Sequence, residues 1–303
     1  MSGLLVVGDV VTDIVARHRT PLMPATDTAA EIRRLPGGAG ANAACWAARS
    51  GAAPVSLLGR VGTDDAVWHD RALRRAGVRP MLVPDSEAGP ATVISLVDAS
   101  AERTFLTDSG AALRISPADW SDAFLDGTAR LHLSGYLFFA ESSRAAARRA
   151  MGGAREARIP VSVDPASVGF LKQLGVERFL DAVRGVEVLF PNADEALLLT
   201  GCAEPEEAAM TLSRVFPLVA VTLGAGGALV AEGAVTSRVA APEVAPVDST
   251  GAGDAFAGAF LAALLAGADT REAAAASRRF STWSTGARSY SWWTTCSTRT
   301  RRR

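Results

Sequence analysis

The stretch VEVLFPNADEALLLTG, residues 186–201, decides the class of fold. Its first part, 186–192, is a short apolar run that predicts a buried strand, and the part that follows, 193–200, predicts a helix. Alternating strands and helices along the rest of the chain predict an α/β fold, with a parallel sheet that has helices on both faces. We expect further strands at 4–9, 55–62, 91–98, 102–108, 130–138, 160–166 and 217–224, and further helices at 40–51, 65–78, 141–157 and 204–214.

Polar residues follow several of the predicted strands. In a parallel α/β sheet, ligands bind at the carboxyl ends of the strands. Asp9, Asp164, Asn192 and Gly224 all fall at such ends. The sequence therefore predicts a ligand site along that edge of the sheet.

Length and composition set the broad class. The chain has 303 residues, enough for one large α/β domain or two small ones, and with 49% hydrophobic and 21% charged residues it is typical of a globular protein. A net charge of −1 argues against nucleic acid or an anionic membrane as partner. Three widely spaced cysteines indicate a reducing compartment. We recognise no signal peptide and no run of 18 apolar residues, so we expect a cytoplasmic protein without a membrane partner.

The segment DSTGAGDAFAGAF, residues 248–260, carries the clearest chemical signal. Gly251, Ala252 and Gly253 are small and open a helix, whose free N–H groups attract anions, so we interpret them as an anion cradle. Asp254 follows on a helix that has no polar face. Beside a developing negative charge, this carboxylate is suited to take a proton from an alcohol as a general base. The alternative is that Asp254 only caps its own helix.

Other classes of enzyme leave signatures that this sequence lacks. It contains no Gly-x-x-x-x-Gly-Lys-Ser/Thr motif, which argues against a P-loop enzyme. No Gly-x-Gly-x-x-Gly follows the first strand, which argues against a dinucleotide oxidoreductase. Its cysteines and histidines have no zinc-binding spacing.

Four motifs together resemble the ribokinase-like (PfkB) family of sugar and nucleoside kinases. They are PGGAGANAACWAARSG (36–51) with VSLLGRVGTD (55–64), FPNADEALLLTG (190–201), VTLGAGGAL (221–229) and DSTGAGDAFAGAFL (248–261). They stand in the family's order and cover roughly residues 4 to 277. The resemblance implies a doubly wound, mainly parallel sheet and a small β-sheet lid over the acceptor.

The resemblance also assigns roles on the phosphate side. Asp254 matches the catalytic base, and the amides of Gly251 to Gly253 match the anion hole. Asn192 and Glu195 match a pair that organises Mg²⁺ and phosphate largely through water; alternatively, they are only a helix cap and a first-turn charge. A further group matches the nucleotide wall, although it could equally be an ordinary hairpin: Thr222, Gly224 and Gly227.

On the acceptor side, carboxylates suit sugar hydroxyls because each accepts more than one hydrogen bond. The resemblance implies that Asp13, Asn42 and a glycine pair hold the sugar. Asp9 frames the same strand end, or is a turn residue only, and Arg103 is expected over the acceptor. The glycines that let the backbone approach the sugar are Gly37 and Gly38, with Gly40 beside them.

The resemblance gives a kinase domain over residues 1–277, with its lid built from about 12–35 and 91–108. It implies ATP and Mg²⁺ as cofactors. Asp248 and Thr250 match positions near a K⁺ site in some relatives, with a plain turn as the alternative. A homodimer through the lid is a further expectation.

The implied reaction is ATP-dependent phosphorylation of a hydroxymethyl group on a sugar or nucleoside. Ribose, fructose, a keto-deoxy sugar acid and pseudouridine remain as candidate acceptors. The alternative, from another class, is a non-catalytic sugar-binding or regulatory relative.

Residues 278–303 depart from the family's pattern. They hold seven arginines, no acidic residue and three of the six tryptophans. A nucleic-acid arm is one interpretation of such a basic, aromatic tail. We favour another: plausible GC-rich codons from Ser289 onward, read from their third base, give a believable strand and turn. We therefore expect a frameshift near residues 277–288, which sequencing of the gene would test.

Overall fold

A computed structural model describes residues 3–100, 102–242 and 251–281. Within these residues the strands are β1 (Gly3–Val7), β2 (Val11–His18), β3 (Ala30–Gly37), β4 (Val55–Gly62), β5 (Val78–Asp85), β6 (Thr92–Val97), β7 (Arg103–Asp108), β8 (Thr128–Ser134), β9 (Val161–Asp164), β10 (Val188–Leu189), β11 (Leu218–Thr222), β12 (Ala228–Glu232) and β13 (Val235–Val239). The helices are α1 (Ala39–Arg49), α2 (Thr63–Arg75), α3 (Glu141–Glu156), α4 (Val168–Leu174), α5 (Val176–Ala182), α6 (Ala193–Thr200), α7 (Pro205–Leu212), α8 (Ala252–Leu265) and α9 (Thr270–Ser281).

The main sheet is largely parallel, as predicted. Its order is β13-β12-β11-β10-β9-β8-β1-β4-β5, and only β12 and β13 run antiparallel to their neighbours. The chain first adds β4 and β5 on one side of β1 and later adds β8 to β11 on the other. The order therefore reverses between β1 and β8, which is where ligands bind in open α/β sheets.

Helices cover both faces of this sheet, so the predicted doubly wound architecture is confirmed. Successive residues of β1 point to opposite faces: Leu5 and Val7 join one core, and Leu4 and Val6 join the other. The first core contains residues of α3, α5, α6 and α7, and the second contains residues of α1, α2, α8 and α9. Two faces packed this way explain why β1 reads as a continuous apolar run.

A second sheet has the order β3-β2-β6-β7. It confirms the small sheet expected from residues 12–35 and 91–108. Along each strand, successive side chains point to opposite faces of this sheet. One face carries Val11, Asp13, Val93, Phe105 and Thr107, and the other face carries the residues next to them in sequence. Each of those five residues lines the cavity described below, so this face of the small sheet is turned toward the site.

Several predicted strands are shorter in the structure, and two of them show how a strand ends. The strand expected at 130–138 ends at Ser134 and continues as a 3-10 helix, Gly135–Phe138. The strand expected at 186–192 is a continuous strand only at Val188–Leu189, with one separate bridge from Asn192 to Thr222. Pro191 has no N–H to donate to a ladder, and Asn192 already begins the capping of α6.

The helix α9 continues past residue 277 to Ser281, so the boundary expected there falls inside a helix. None of the helices in the described ranges is long and apolar enough to cross a membrane.

Candidate active site

Asp254 and Asn42 meet where α8 crosses α1. A Cβ at Gly258 of α8 would overlap the Ala43 carbonyl oxygen of α1, so only glycine permits this close crossing. The crossing brings Asn42, on α1, to Asp254, in the first turn of α8. The Asn42 side-chain nitrogen donates to the Asp254 carboxylate at 2.8 Å. Among the described residues no side-chain hydrogen bond caps the start of α8, and the hydrogen bond found at the Asp254 carboxylate comes from Asn42.

The first turn of α8 is open toward the site. Gly251 is left-handed (φ 74°) and starts the helix, and a Cβ built on Gly253 would meet no atom of the described residues within 4 Å. The first N–H groups of a helix have no intrahelical acceptor and carry a partial positive charge. The arrangement therefore agrees with an anion cradle at Gly251, Ala252 and Gly253. Asp248 and Thr250, the residues expected near a cation, lie outside the described residues.

Asp9 organises the start of α1. Its carboxylate accepts from the amides of Ala39 (2.7 Å) and Gly40 (3.1 Å) and from the Ser134 hydroxyl (2.7 Å). It is only 5% exposed. Three of its acceptor positions are thus used within the protein, where Asp9 links the end of β1 to the start of α1 and to the end of β8.

Asp13 lies on β2 and faces the same space. A Cβ at Gly37, on the neighbouring strand β3, would overlap the Asp13 carboxylate. The glycine at position 37 is therefore required by the place that Asp13 occupies. Gly38, with φ 104°, then turns the chain into α1.

These residues line one cavity of about 400 Å³. Of the predicted site residues, it is lined by Asp9, Asp13, Gly38, Asn42, Gly251 and Asp254. Gly37 is not among the lining residues, but its lack of a side chain leaves room for the Asp13 carboxylate. Arg103 is not among the lining residues, although strand alternation puts it on the same face as Phe105 and Thr107, farther along β7.

The carboxylates of the cavity disfavour one another's ionised forms. Burial raises the pKa of Asp254 well above its usual range, and Asp164 adds to this while the Asn42 hydrogen bond opposes it. Burial likewise raises the pKa of Asp13 to about 7, with a further contribution from Asp9. Burial also raises the pKa of Asp9, despite its three hydrogen bonds. In this cavity an acid is therefore more stable when it is protonated, or when it lies beside a cation or a hydrogen-bond donor, than when it is ionised without such a partner.

The predicted nucleotide residues lie at the neighbouring strand ends. Asn192 and Thr222 form a parallel bridge, and the Thr222 amide donates to the Pro191 carbonyl at 2.9 Å. Thr222 ends β11, and the turn to β12 contains Gly224 (φ 55°) and Gly227 (φ 92°). This turn is a hairpin in the structure, and its role as a nucleotide wall stays a prediction.

Asn192 and Glu195 cap α6 reciprocally, each accepting from the other's amide at 2.9 Å. Glu195 is 4% exposed, and burial raises its pKa to about 7, with Asp164 adding to the effect. A cation nearby would stabilise the ionised form of such a buried acid. Within the described ranges, no three His, Cys, Asp or Glu side chains are arranged to hold a metal directly. These residues therefore fit Mg²⁺ held mainly through water and phosphate, as that ion prefers.

Sequence reasoning missed several side chains of the cavity wall. Tyr136 follows β8, and burial together with four surrounding carboxylates raises the pKa of its hydroxyl. Asp164, at the end of β9, was noted only as a strand end; it lines the cavity and lies 3.4 Å from buried His132. Phe105 and Phe170 line it from the small sheet and from α4. Only the fold brings them together.

A partly buried cluster also connects the small sheet to the main sheet and its helices. Asp65 of α2 accepts from the Thr12 hydroxyl at 2.5 Å and pairs with Arg34 of β3. The Arg34 guanidinium lies 4.4 Å from the centre of the Trp68 ring. Burial raises the pKa of Asp65, but these hydrogen bonds more than offset it and lower the pKa overall. Because Thr12 precedes Asp13, this cluster holds β2 at the point where Asp13 faces the cavity.

The chain is similar to known kinases in sequence and in fold. A fructokinase of Vibrio alginolyticus is 30% identical over 277 residues, covering 89% of this chain and 86% of the relative. A cytidine kinase of Thermococcus kodakarensis is 30% identical over 234 residues, covering 75% and 80%. The fold matches the crystal structure of adenosine kinase from Sinorhizobium meliloti with a TM-score of 0.85 at 24% identity, covering 99% of both chains.

The family model described as pfkB family carbohydrate kinase matches residues 1–291, and so extends into the segment expected to be atypical. Kinases of this family use ATP and act on small molecules. A match over nearly the whole chain, with kinases among its relatives, shows that this protein belongs to the pfkB family of carbohydrate kinases.

Proposed function

We propose that this protein transfers the γ-phosphoryl group of ATP to a hydroxymethyl group of a sugar or nucleoside, with Asp254 as general base. The observation that carries the proposal is the position of Asp254. It lies in the cavity, is oriented by Asn42, and stands in the open first turn of α8. One carboxylate thus reaches both the acceptor space and the anion cradle.

Asp254 takes the proton of the acceptor hydroxyl as that oxygen forms its bond to phosphorus and the bond to the ADP oxygen breaks. Because its pKa is raised, Asp254 is a stronger base than an ordinary carboxylate, which suits proton transfer near neutral pH. The free amides of Gly251 to Gly253 stabilise the phosphoryl oxygens from a fixed position. Mg²⁺ near Asn192 and Glu195 would neutralise phosphate charge.

On the acceptor side, Asp13 and Asn42 hold hydroxyl groups, and Asp9 keeps α1 and β8 in place behind them. The small sheet would act as a lid. Excluding water matters because water is a competing acceptor of the phosphoryl group.

The relatives act on different acceptors, since their names include a fructokinase and a cytidine kinase. Ribose, fructose, a keto-deoxy sugar acid and a nucleoside are therefore the acceptors to test. An assay of ADP release across such a panel tests the proposal, with Asp254→Asn as the variant. No ADP release with any acceptor would instead favour a non-catalytic, sugar-binding relative.

A further inference from the structure

The cavity carries an unusual balance of charge. Five aspartates line it: Asp9, Asp13, Asp108, Asp164 and Asp254. Within the part of the chain that the structure describes, none of its lining residues is Lys, Arg or His. An acceptor with a carboxylate or phosphate would place its negative charge among these acids without a compensating cation, which opposes binding. The acceptor that fits is uncharged.

The cavity is also divided by polarity. Asp13, Asn42 and Asp254 form a polar floor next to the cradle of α8. The remaining wall is mostly apolar and comes from the small sheet, from the segments next to it and from α4; it includes Val11, Ala91, Val93, Phe105, Leu113 and Phe170. A monosaccharide on the floor would leave much of this wall uncovered.

Two aromatic rings of the wall come from opposite sides. Phe170, on α4, packs edge-on against Tyr136 (5.6 Å between ring centres) and stacks on Phe139 (5.0 Å). Phe105, on β7, is 52% exposed, and no aromatic ring of the described residues packs against it. An exposed phenylalanine that faces a cavity offers a surface on which a planar ring can stack.

We propose that the acceptor is an uncharged nucleoside, whose ribose lies on the polar floor and whose base lies against Phe105 and Phe170. This rests on the proposed function, because it assigns the acceptor of the same site. The hydroxymethyl group of the ribose then points to Asp254, and the base fills the apolar half of the cavity. A volume of about 400 Å³ falls within the range of about 300–1,000 Å³ typical of sites for ligands larger than a few atoms.

The first test is direct binding without ATP. Isothermal titration of the full chain would use uridine, pseudouridine, cytidine and adenosine, with ribose, fructose and 2-keto-3-deoxygluconate for comparison. We expect at least one nucleoside to bind tenfold or more tightly than ribose, and the sugar acid to bind worst. Ribose, fructose or the acid binding as tightly as every nucleoside would overturn the inference.

The second test uses a matched pair of variants. Stacking of a base on an aromatic ring is worth enough to make Phe105→Ala weaken nucleoside binding by roughly tenfold to a hundredfold, while ribose binding is unchanged. Leu106→Ala is the control, because Leu106 is similarly exposed (55%) but points away from the cavity. Equal losses of nucleoside affinity in the two variants would contradict the stacking role.

ADP release separates this inference from the proposed function. If a nucleoside binds but no ADP is released, the acceptor site stands and the kinase proposal fails. If ribose or fructose is phosphorylated and no nucleoside is, the kinase proposal stands and the nucleoside inference fails.

Discussion

Replacing Asp13 with Asn tests whether the acceptor-side carboxylate is held at a cost to stability. Burial and Asp9 raise its pKa from 3.8 to about 7. Because the folded chain binds this proton more tightly than the unfolded chain, its contribution to stability is fully present below about pH 4. It is lost as pH rises through about 7. At about 1.4 kcal/mol per pKa unit, a shift of about 3 units makes this loss on the order of 4 kcal/mol above pH 7.

Asn has the same shape and no charge, so Asp13→Asn should be more stable than the unaltered protein at pH 8. The advantage should shrink by about 1.4 kcal/mol for each unit between pH 7 and pH 5. Urea unfolding followed by tryptophan fluorescence at several pH values measures this. Asp126→Asn, at an exposed aspartate outside the acceptor cavity, is the matched control and should give no such trend.

The same variant should bind its acceptor more weakly. A hydrogen bond to a charged group is worth about 1.5–3 kcal/mol, so the acceptor KM should rise by roughly tenfold to a hundredfold. The reasoning would be refuted if the stabilities of Asp13→Asn and of the unaltered protein differed by the same amount at pH 5 and at pH 8, so that the two pH profiles were parallel.

Four further predictions follow from the site and the fold. Asp254→Asn should lower kcat by about 10² to 10⁴ with acceptor binding retained, and a near-normal rate would exclude it as the base. Asp65→Asn should cost about 1–3 kcal/mol in urea unfolding and raise the acceptor KM, whereas Asp64→Asn, at its exposed neighbour, should change neither. K⁺ should give faster turnover than tetramethylammonium at equal ionic strength if a cation site precedes α8. The protein should sediment as a dimer through the outer face of the small sheet, and Ile32→Glu, at a 67% exposed position of that face, should shift it to monomer.

The α/β class could be predicted because its signal is local. An apolar run followed by a helical segment is visible within 16 residues, as at 186–201, and it recurs along the chain. Strand lengths were less predictable, since apolar residues continue past the point where pairing stops. At the end of β8 the chain turns into a 3-10 helix although apolar residues follow, and Gly135 packs so closely there that a Cβ would overlap the Asp164 carbonyl oxygen.

The site was predictable where a motif is contiguous and not where topology assembles it. Asp254 and Asn42 stand 212 positions apart, yet each lies in its own recognisable motif. Ser134 is 125 positions from Asp9, and nothing in its surroundings marks it as a partner. Phe105 and Phe170 likewise look like ordinary strand and helix residues in sequence. Their shared cavity exists only because the small sheet faces the carboxyl edge of the large one.

The frameshift expected near 277–288 stays a prediction. The helix α9 runs through residue 277 to Ser281, and the family model matches as far as residue 291. An altered frame would therefore change the chain within or after α9, downstream of Asp254 and its cradle. Asp254 and the other residues proposed to act in catalysis are encoded before that point, which is why the tests above use the chain as it is.

The charge distribution of the site favours ATP phosphates at the start of α8 and an uncharged acceptor in the cavity. The first turn of α8 offers free amides and the positive end of the helix dipole, which attract phosphate oxygens. In the cavity, burial raises the pKa of Asp254, with Asp164, Asp9 and Asp13 adding to the shift, and the same acids repel anions. A phosphate chain is thus favoured at the helix end and opposed in the cavity, whereas an uncharged polyol is accepted there as a donor of hydrogen bonds. Asp254 stands at this boundary, where the hydroxyl proton must leave as the phosphoryl group arrives.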